Sequence, residues 1–147
     1  MAEAKLEDLF PGLRVSRYRL TSPASPDYNC IAWAASQQDA WWWPDEMHVS
    51  FWPAAAPRQE TIEAFVEAFS TLGYTPCDIP DWEPGFEKIA IYADDKGTPT
   101  HAAKQLPTGA WTSKLGALED VEHQGLYDLT GSRYGTVVRF LKRPIPH

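Results

Sequence analysis

At 147 residues, 44% hydrophobic and 13% aromatic with seven tryptophans, the chain is sized for one domain whose single core needs no disulfide or metal staple, and it is not a disordered segment. Thirteen basic against twenty acidic side chains give a net charge of -7, and no Lys or Arg block is dense enough to track a phosphate backbone, which argues against a nucleic-acid partner. No apolar run approaches the roughly 20 residues that span a bilayer, and MAEAKLEDLF carries acids where a signal peptide has a basic and then an apolar region, so the expectation is no membrane partner and a cytoplasmic protein, with secretion by a route lacking a cleaved signal left open.

A single domain over residues 1–147 is expected, with residues 1–26 as an N-terminal arm and 27–147 as the core. The arm holds Pro11, Pro23 and Pro26 and little periodicity, so it reads as a segment lying over the domain, with RVSRYRL extended. A short helix is predicted from about Tyr28 to Gln38, with Ser25, Asp27 and Asn29 all offering N-cap chemistry. WWWPDEMHVSFWP, closed by Pro44 and Pro53, reads as a packed loop. From Pro57 onward Ile62, Phe65, Val66, Phe69 and Leu72 recur at helical spacing, Glu60, Glu63 and Glu67 face out, and Gly73 supplies the stop.

After that helix the period drops toward two. GFEKIAIYAD, THAAKQL, WTSKL and YGTVVRFLKR predict an antiparallel meander of about four strands, with GALEDVEHQGLYDLTGSR as a loop containing one helical turn. Helices followed by a sheet is the α+β pattern, N-terminal helices packed on a small antiparallel sheet.

The two cysteines, Cys30 and Cys77, are too few for a disulfide framework and lack CxxC spacing, which leaves open a single bridge between them. In YNCIAWAA, Cys30 stands at the first turn of a helix, where unpaired N–H groups favour a thiolate and can hold an oxyanion. A buried cysteine is equally at home there as a small hydrophobe. Asn29 is placed either to donate to an oxyanion or to cap the helix. His101 opens the strand THAAKQL with small neighbours around its ring, where a base able to take the thiol proton would stand; a surface hairpin histidine is the plain alternative. Cys77, between Pro76 and Pro80, reads as structural. Trp41, Trp42 and Trp43 wall a cleft or pack in a core. His48, His101, His123 and Cys30 lack the spacing of a zinc site, so no metal and no cofactor is expected. EDVE reads as a solvated face.

The order of a helix-borne Cys30, a second helix and antiparallel strands in which KIAIYADDKGTPTHAA leads into one opened by His101 resembles the papain-like cysteine hydrolases, in particular the compact branch of bacterial cell-wall peptidases and related acyl-transfer enzymes. The resemblance covers about residues 28 to 143. YNCIAWA, the Trp-rich loop, THAAKQLPTGAWTSKLG, EDVEH and YGTVV also resemble a family of uncharacterised, mostly bacterial proteins. The papain-like resemblance implies a third residue on the next strand to orient the imidazole. WTSKL offers Thr112, Ser113 and Lys114, and pairing about the PTG turn sets His101 opposite about Lys114 or Leu115, with Asp120 and His123 just beyond the strand end. The order of preference is Asp120, His123, Ser113, since a carboxylate best orients an Nδ1–H.

The function implied is a thiol hydrolase or acyl transferase acting on an amide of a peptide or protein substrate: Cys30 as nucleophile, His101 as base, Asp120 or His123 as orienting group, Asn29 and the Cys30 N–H at the oxyanion. The competing expectation is a catalytically silent papain-like fold that binds a protein partner through the Trp-rich loop. An unrelated α+β domain is the third.

Overall fold

The computed structural model describes residues 2–15, 17–115 and 118–145, and within them seven strands form one antiparallel sheet with short helices packed against it, an α+β architecture. Helix α1 (Ala2–Leu9) and a 3-10 turn (Pro11–Val15) lead into β1 (Tyr18–Ser22). α2 (Cys30–Ala34) and α3 (Ile62–Ser70) follow, then β2 (Thr75–Cys77), β3 (Phe86–Ala93), β4 (Pro99–Gln105), β5 (Trp111–Lys114), β6 (Asp120–His123) and β7 (Thr136–Pro144). Across the sheet the order is β1-β6-β5-β4-β3-β7-β2.

Strand alternation divides the core in two. Ile89 and Ile91 of β3, Ala102 of β4 and Leu141 of β7 meet α2, α3 and the Trp-rich loop, with Phe65, Phe69, Trp42 and Trp52 between them. On the other cluster Ala90, Tyr92, Ala103, Trp111 and Val121 pack with Leu6, Phe10 and Leu13. Burying each of those three N-terminal side chains contributes about 2 kcal/mol. The expected arm is therefore part of the fold, and its strand β1 pairs with β6 from Tyr18 to Leu20.

The sheet departs from the expected four-strand meander in three places. EDVEH, expected as solvated loop, is strand β6, with Asp120, Val121 and His123 fully buried. β7 does not follow β5 but crosses back to pair with β3 along Phe86–Ala93. Thr75–Cys77 adds an edge strand in which Pro76 is tolerated because only one side is paired.

α3 matches its pattern: the Thr61 hydroxyl accepts from the Ala64 N–H at 3.2 Å, and Gly73 at φ 94 turns the chain out of the helix. α2 is shorter than expected. Ser36 adopts φ 66, and the Gln37 N–H turns back onto the Ala32 carbonyl at 2.8 Å, so the helix stops at Ala34. Cys30 and Cys77 are both free thiols, so the bridge left open by the sequence is not formed.

Candidate active site

Cys30 begins α2 because Asn29 caps it. The Asn29 Oδ1 accepts from the Ala32 N–H at 3.1 Å, and the same oxygen takes the Trp42 N–H at 3.1 Å. Its Nδ2 donates to the Trp42 carbonyl at 2.9 Å. A buried amide must satisfy both of its ends. Of the two roles expected for Asn29, oxyanion donor or cap, its side chain takes the cap and buckles α2 onto the tryptophan loop. With five residues, α2 offers the thiol individual N–H groups in place of the expected helix dipole.

Cys30 lines a cleft of about 360 Å³ together with Asn29, Trp41, Trp43, Ser50, Thr100 and Tyr134. The residue is 5% exposed. Burial pushes its thiol up to about 11, against the pull of the Ala102, Ile31 and Cys30 N–H groups and the Lys114 ammonium. At neutral pH it is a protonated thiol.

The Trp-rich loop resolves the choice between cleft wall and core by doing both. Trp42 bridges to Phe51 in an extended backbone, and alternation then sends Trp42 inward and its neighbours to the cleft. Trp42 is 6% exposed and Trp41 38%. Trp41 is pinned by its indole N–H on the Pro26 carbonyl at 2.5 Å, and Trp43 by an edge contact to Phe65 at 5.3 Å. Arg58 straps the loop at the Asp45 carbonyl, 2.9 Å, and the Ser50 carbonyl, 3.3 Å.

His101 is fully buried and joins a chain of hydrogen bonds whose direction can be derived. His123 Nδ1 lies 2.9 Å from the Gly125 carbonyl, which can only accept, so Nδ1 carries the hydrogen. Burial lowers the His123 pKa, so the ring is neutral and its Nε2 holds a lone pair. Ser113 Oγ, 2.9 Å away, donates to that lone pair. The serine oxygen then accepts from His101 Nε2–H at 3.0 Å. What remains on His101 is a bare Nδ1, buried and without a hydrogen-bond partner among the described residues. Burial, then the neighbouring His123, hold the His101 pKa well below the ordinary imidazole value, so this lone pair is present at neutral pH. The Tyr134 ring stacks on the imidazole at 4.1 Å and 8°, and Tyr92 meets it edge-on at 5.1 Å.

Thiol and imidazole approach β4 from different sides. Ala102 points into the cluster that holds Cys30, whereas Tyr92, the cross-strand partner of His101, belongs to the other. They converge at the β4 backbone, where the Ala102 N–H faces the sulfur. No hydrogen bond joins Cys30 to His101 among the described residues. Tyr134 touches both places, lining the cleft and covering the ring.

Asp120, first choice to orient His101, is instead the acceptor of the Tyr28 hydroxyl at 2.8 Å. The reason is strand parity. Asp120 and His123 are three apart on β6, so their side chains leave the sheet on opposite faces, and only His123 shares a face with Ser113. Ser113, ranked third, is the group in contact with the imidazole. Among the described residues no three of His, Cys, Asp and Glu gather as metal ligands, and His48 stands in the exposed loop at φ 56.

A family model for a domain of unknown function, DUF7689, matches residues 19–142. The chain belongs to that family. No curated protein and no solved structure matches it.

Ser113 and Tyr134 stand in the WTSKLG and YGTVV stretches of this DUF7689 member, but what each side chain contacts is visible only in the fold. Tyr134 sits in GSRYG, where a Gly131–Gly135 bridge closes the loop and the Thr100 hydroxyl donates to the Tyr134 carbonyl at 2.5 Å. Ser113, third among the expected orienting residues, is set ahead of Asp120 by the register of β5 on β6, since Trp111↔His123 and Ser113↔Val121 fix its face.

Proposed function

We propose that the chain is a thiol-dependent hydrolase or acyl transferase acting on an amide, with the papain-like order of helix-borne cysteine and strand-borne histidine. The observation that supports this is the bare, buried His101 Nδ1, kept in its proton-accepting form by Ser113 and His123 beside the strand residue whose N–H faces the Cys30 sulfur. Buried polar atoms are almost always paired, and this lone pair is left open to take a proton. Burial leaves thiol and imidazole both uncharged at rest. At rest the thiol and Nδ1 lie on different sides of β4, so the step requires the start of β4 to shift until they meet when a carbonyl enters the cleft; Sγ then bonds to the carbonyl carbon while its proton passes to Nδ1. The C–N bond then breaks, and Nδ1–H gives the proton to the departing amine. Water, or an acceptor amine, opens the thioester and restores the thiol. Ser113 fills the orienting role expected of Asp120, and the N–H groups of Cys30, Ile31 and Ala102 are the donors nearest the developing charge.

Incubation with 4-nitrophenyl acetate followed by peptide mass mapping tests this. The expected result is an acetyl group on Cys30 and not on Cys77, with the rate reduced roughly 100-fold or more in His101→Gln. Equal, slow acetylation of both thiols, indifferent to His101→Gln in a folded variant, would overturn it. A second function, a binding cleft with a silent thiol, is favoured by the rise of the Cys30 pKa to about 11. It predicts that slow outcome.

A further inference from the structure

We propose that the Cys30 cleft is a specificity pocket for an uncharged aromatic or long aliphatic side chain of a polypeptide substrate. This rests on the amide-directed thiol chemistry above and names the substrate class of the same site. Asn29, Cys30, Trp41, Trp43, Ser50, Thr100 and Tyr134 line the cleft, and none carries a charge at neutral pH, in a chain with 22% charged residues. A Lys or Glu side chain entering it would lose water and meet no charged group in the lining. Two indoles and a phenol ring instead offer flat apolar area and edge-to-face contacts. Because Trp41 is tied to Pro26 and Trp43 to Phe65, the pocket exists before ligand arrives, and no side-chain ordering opposes binding.

The substrate extends beyond one side chain because the lip of the cleft does. The loop that supplies Ser50 also carries Met47, Val49 and Phe51, exposed to 83%, 85% and 50%. That exposure is held in place: Asp45 accepts from the Val49 N–H at 2.7 Å and the Ser50 N–H at 2.9 Å, and Arg58 bonds the Asp45 and Ser50 carbonyls. A fixed loop that lines the uncharged pocket through Ser50 and exposes Met47 and Val49 beside it, with Glu46 and His48 between, fits a peptide with apolar residues flanking the pocket residue.

Binding can be measured apart from turnover. Cys30→Ala protein is titrated by tryptophan fluorescence with acetyl-Gly-Leu-X-Leu-Gly-amide peptides, X being Phe, Leu, Glu or Lys, and with acetyl-phenylalaninamide. The Phe and Leu peptides are expected to bind at least about tenfold more tightly than Glu and Lys. Trp41→Ala brings the four within about threefold, and Met47→Ser with Val49→Ser weakens the Phe peptide toward acetyl-phenylalaninamide. Equal affinity for all four, or preference for a charged X, overturns the pocket assignment. Equal affinity for the Phe peptide and acetyl-phenylalaninamide overturns the polypeptide assignment. These outcomes are separate from acylation of Cys30: apolar preference in a protein whose Cys30 never acylates would retain the pocket and remove the enzyme.

Discussion

The chemistry assigned to this chain depends on which nitrogen of one imidazole carries a proton. Nothing next to His101 fixes that by itself; the Gly125 carbonyl does so two hydrogen bonds away, through His123 and Ser113. The expected ¹⁵N spectrum of His101 at pH 7 is that of a neutral ring protonated at Nε2 with Nδ1 bare, and a spectrum showing hydrogen on Nδ1 would remove the base from the mechanism. Ser113→Ala leaves the His101 Nε2–H and the His123 Nε2 lone pair facing each other across a gap with nothing between. Two stranded buried groups cost about 1–3 kcal/mol each, so urea unfolding should show a loss of about 2–6 kcal/mol. With its tautomer no longer dictated, His101 should also support acetylation of Cys30 about tenfold more slowly. Ser113→Thr keeps the oxygen on a strand that tolerates branching, and should recover most of both losses. If Ser113→Ala lowered stability but left the acetylation rate untouched, Ser113 would be a structural residue only.

The loop that returns the chain to β7 sets Tyr134 over the imidazole, and two glycines show how tightly. Gly135 has φ 75, and a Cβ there would stand 1.9 Å from the Ala93 carbonyl oxygen, a backbone atom that cannot move aside. Gly73 has φ 94 but open space around it. Gly135→Ala should therefore cost well over about 2 kcal/mol and release Tyr134 from His101, while Gly73→Ala should cost about 1 kcal/mol, the backbone term alone; comparable melting temperatures for the two would contradict the close packing. The same division between local and distant causes governs what the sequence disclosed. α3, β3, β4 and β5 follow from apolar period and turn residues in their own stretch. β6 was hidden because its buried residues are Asp120, Val121 and His123, a polar pattern that reads as solvated until its partner strands are known. With β6 unseen, strand parity could not be applied, and Asp120 was preferred to the groups on the correct face. Cys30 and His101 are legible from their motifs, but the placement of Tyr134 over the imidazole is not, since it depends on a return crossing between β6 and β7 that no local pattern specifies.

Burying two imidazoles without charge makes the stability of the whole fold depend on pH in the mildly acidic range. Both His101 and His123 have pKa values lowered chiefly by burial, the first well below 6.5. In the unfolded chain each takes a proton as pH falls through about 6.5, while the folded chain stays neutral until its own lower pKa is reached. Between these limits the unfolded state binds more protons, so unfolding free energy rises with pH and the contribution is lost on acidification. Each histidine adds a slope of at most about 1.4 kcal/mol per pH unit. The carboxylates of Asp45 and Glu83, whose pKa values are lowered by backbone N–H groups and by Lys142 respectively, act in the same direction but below the ordinary carboxylate range, so they do not contaminate the window from pH 7.5 to 5. Urea unfolding across that window should show the midpoint falling steadily toward pH 5. His123→Gln should flatten the slope by up to half, whatever it does to the midpoint at pH 7.5. A midpoint that stayed level or rose on acidification would mean that the buried rings accept protons in the folded state, and the neutral relay that leaves His101 Nδ1 bare would not exist.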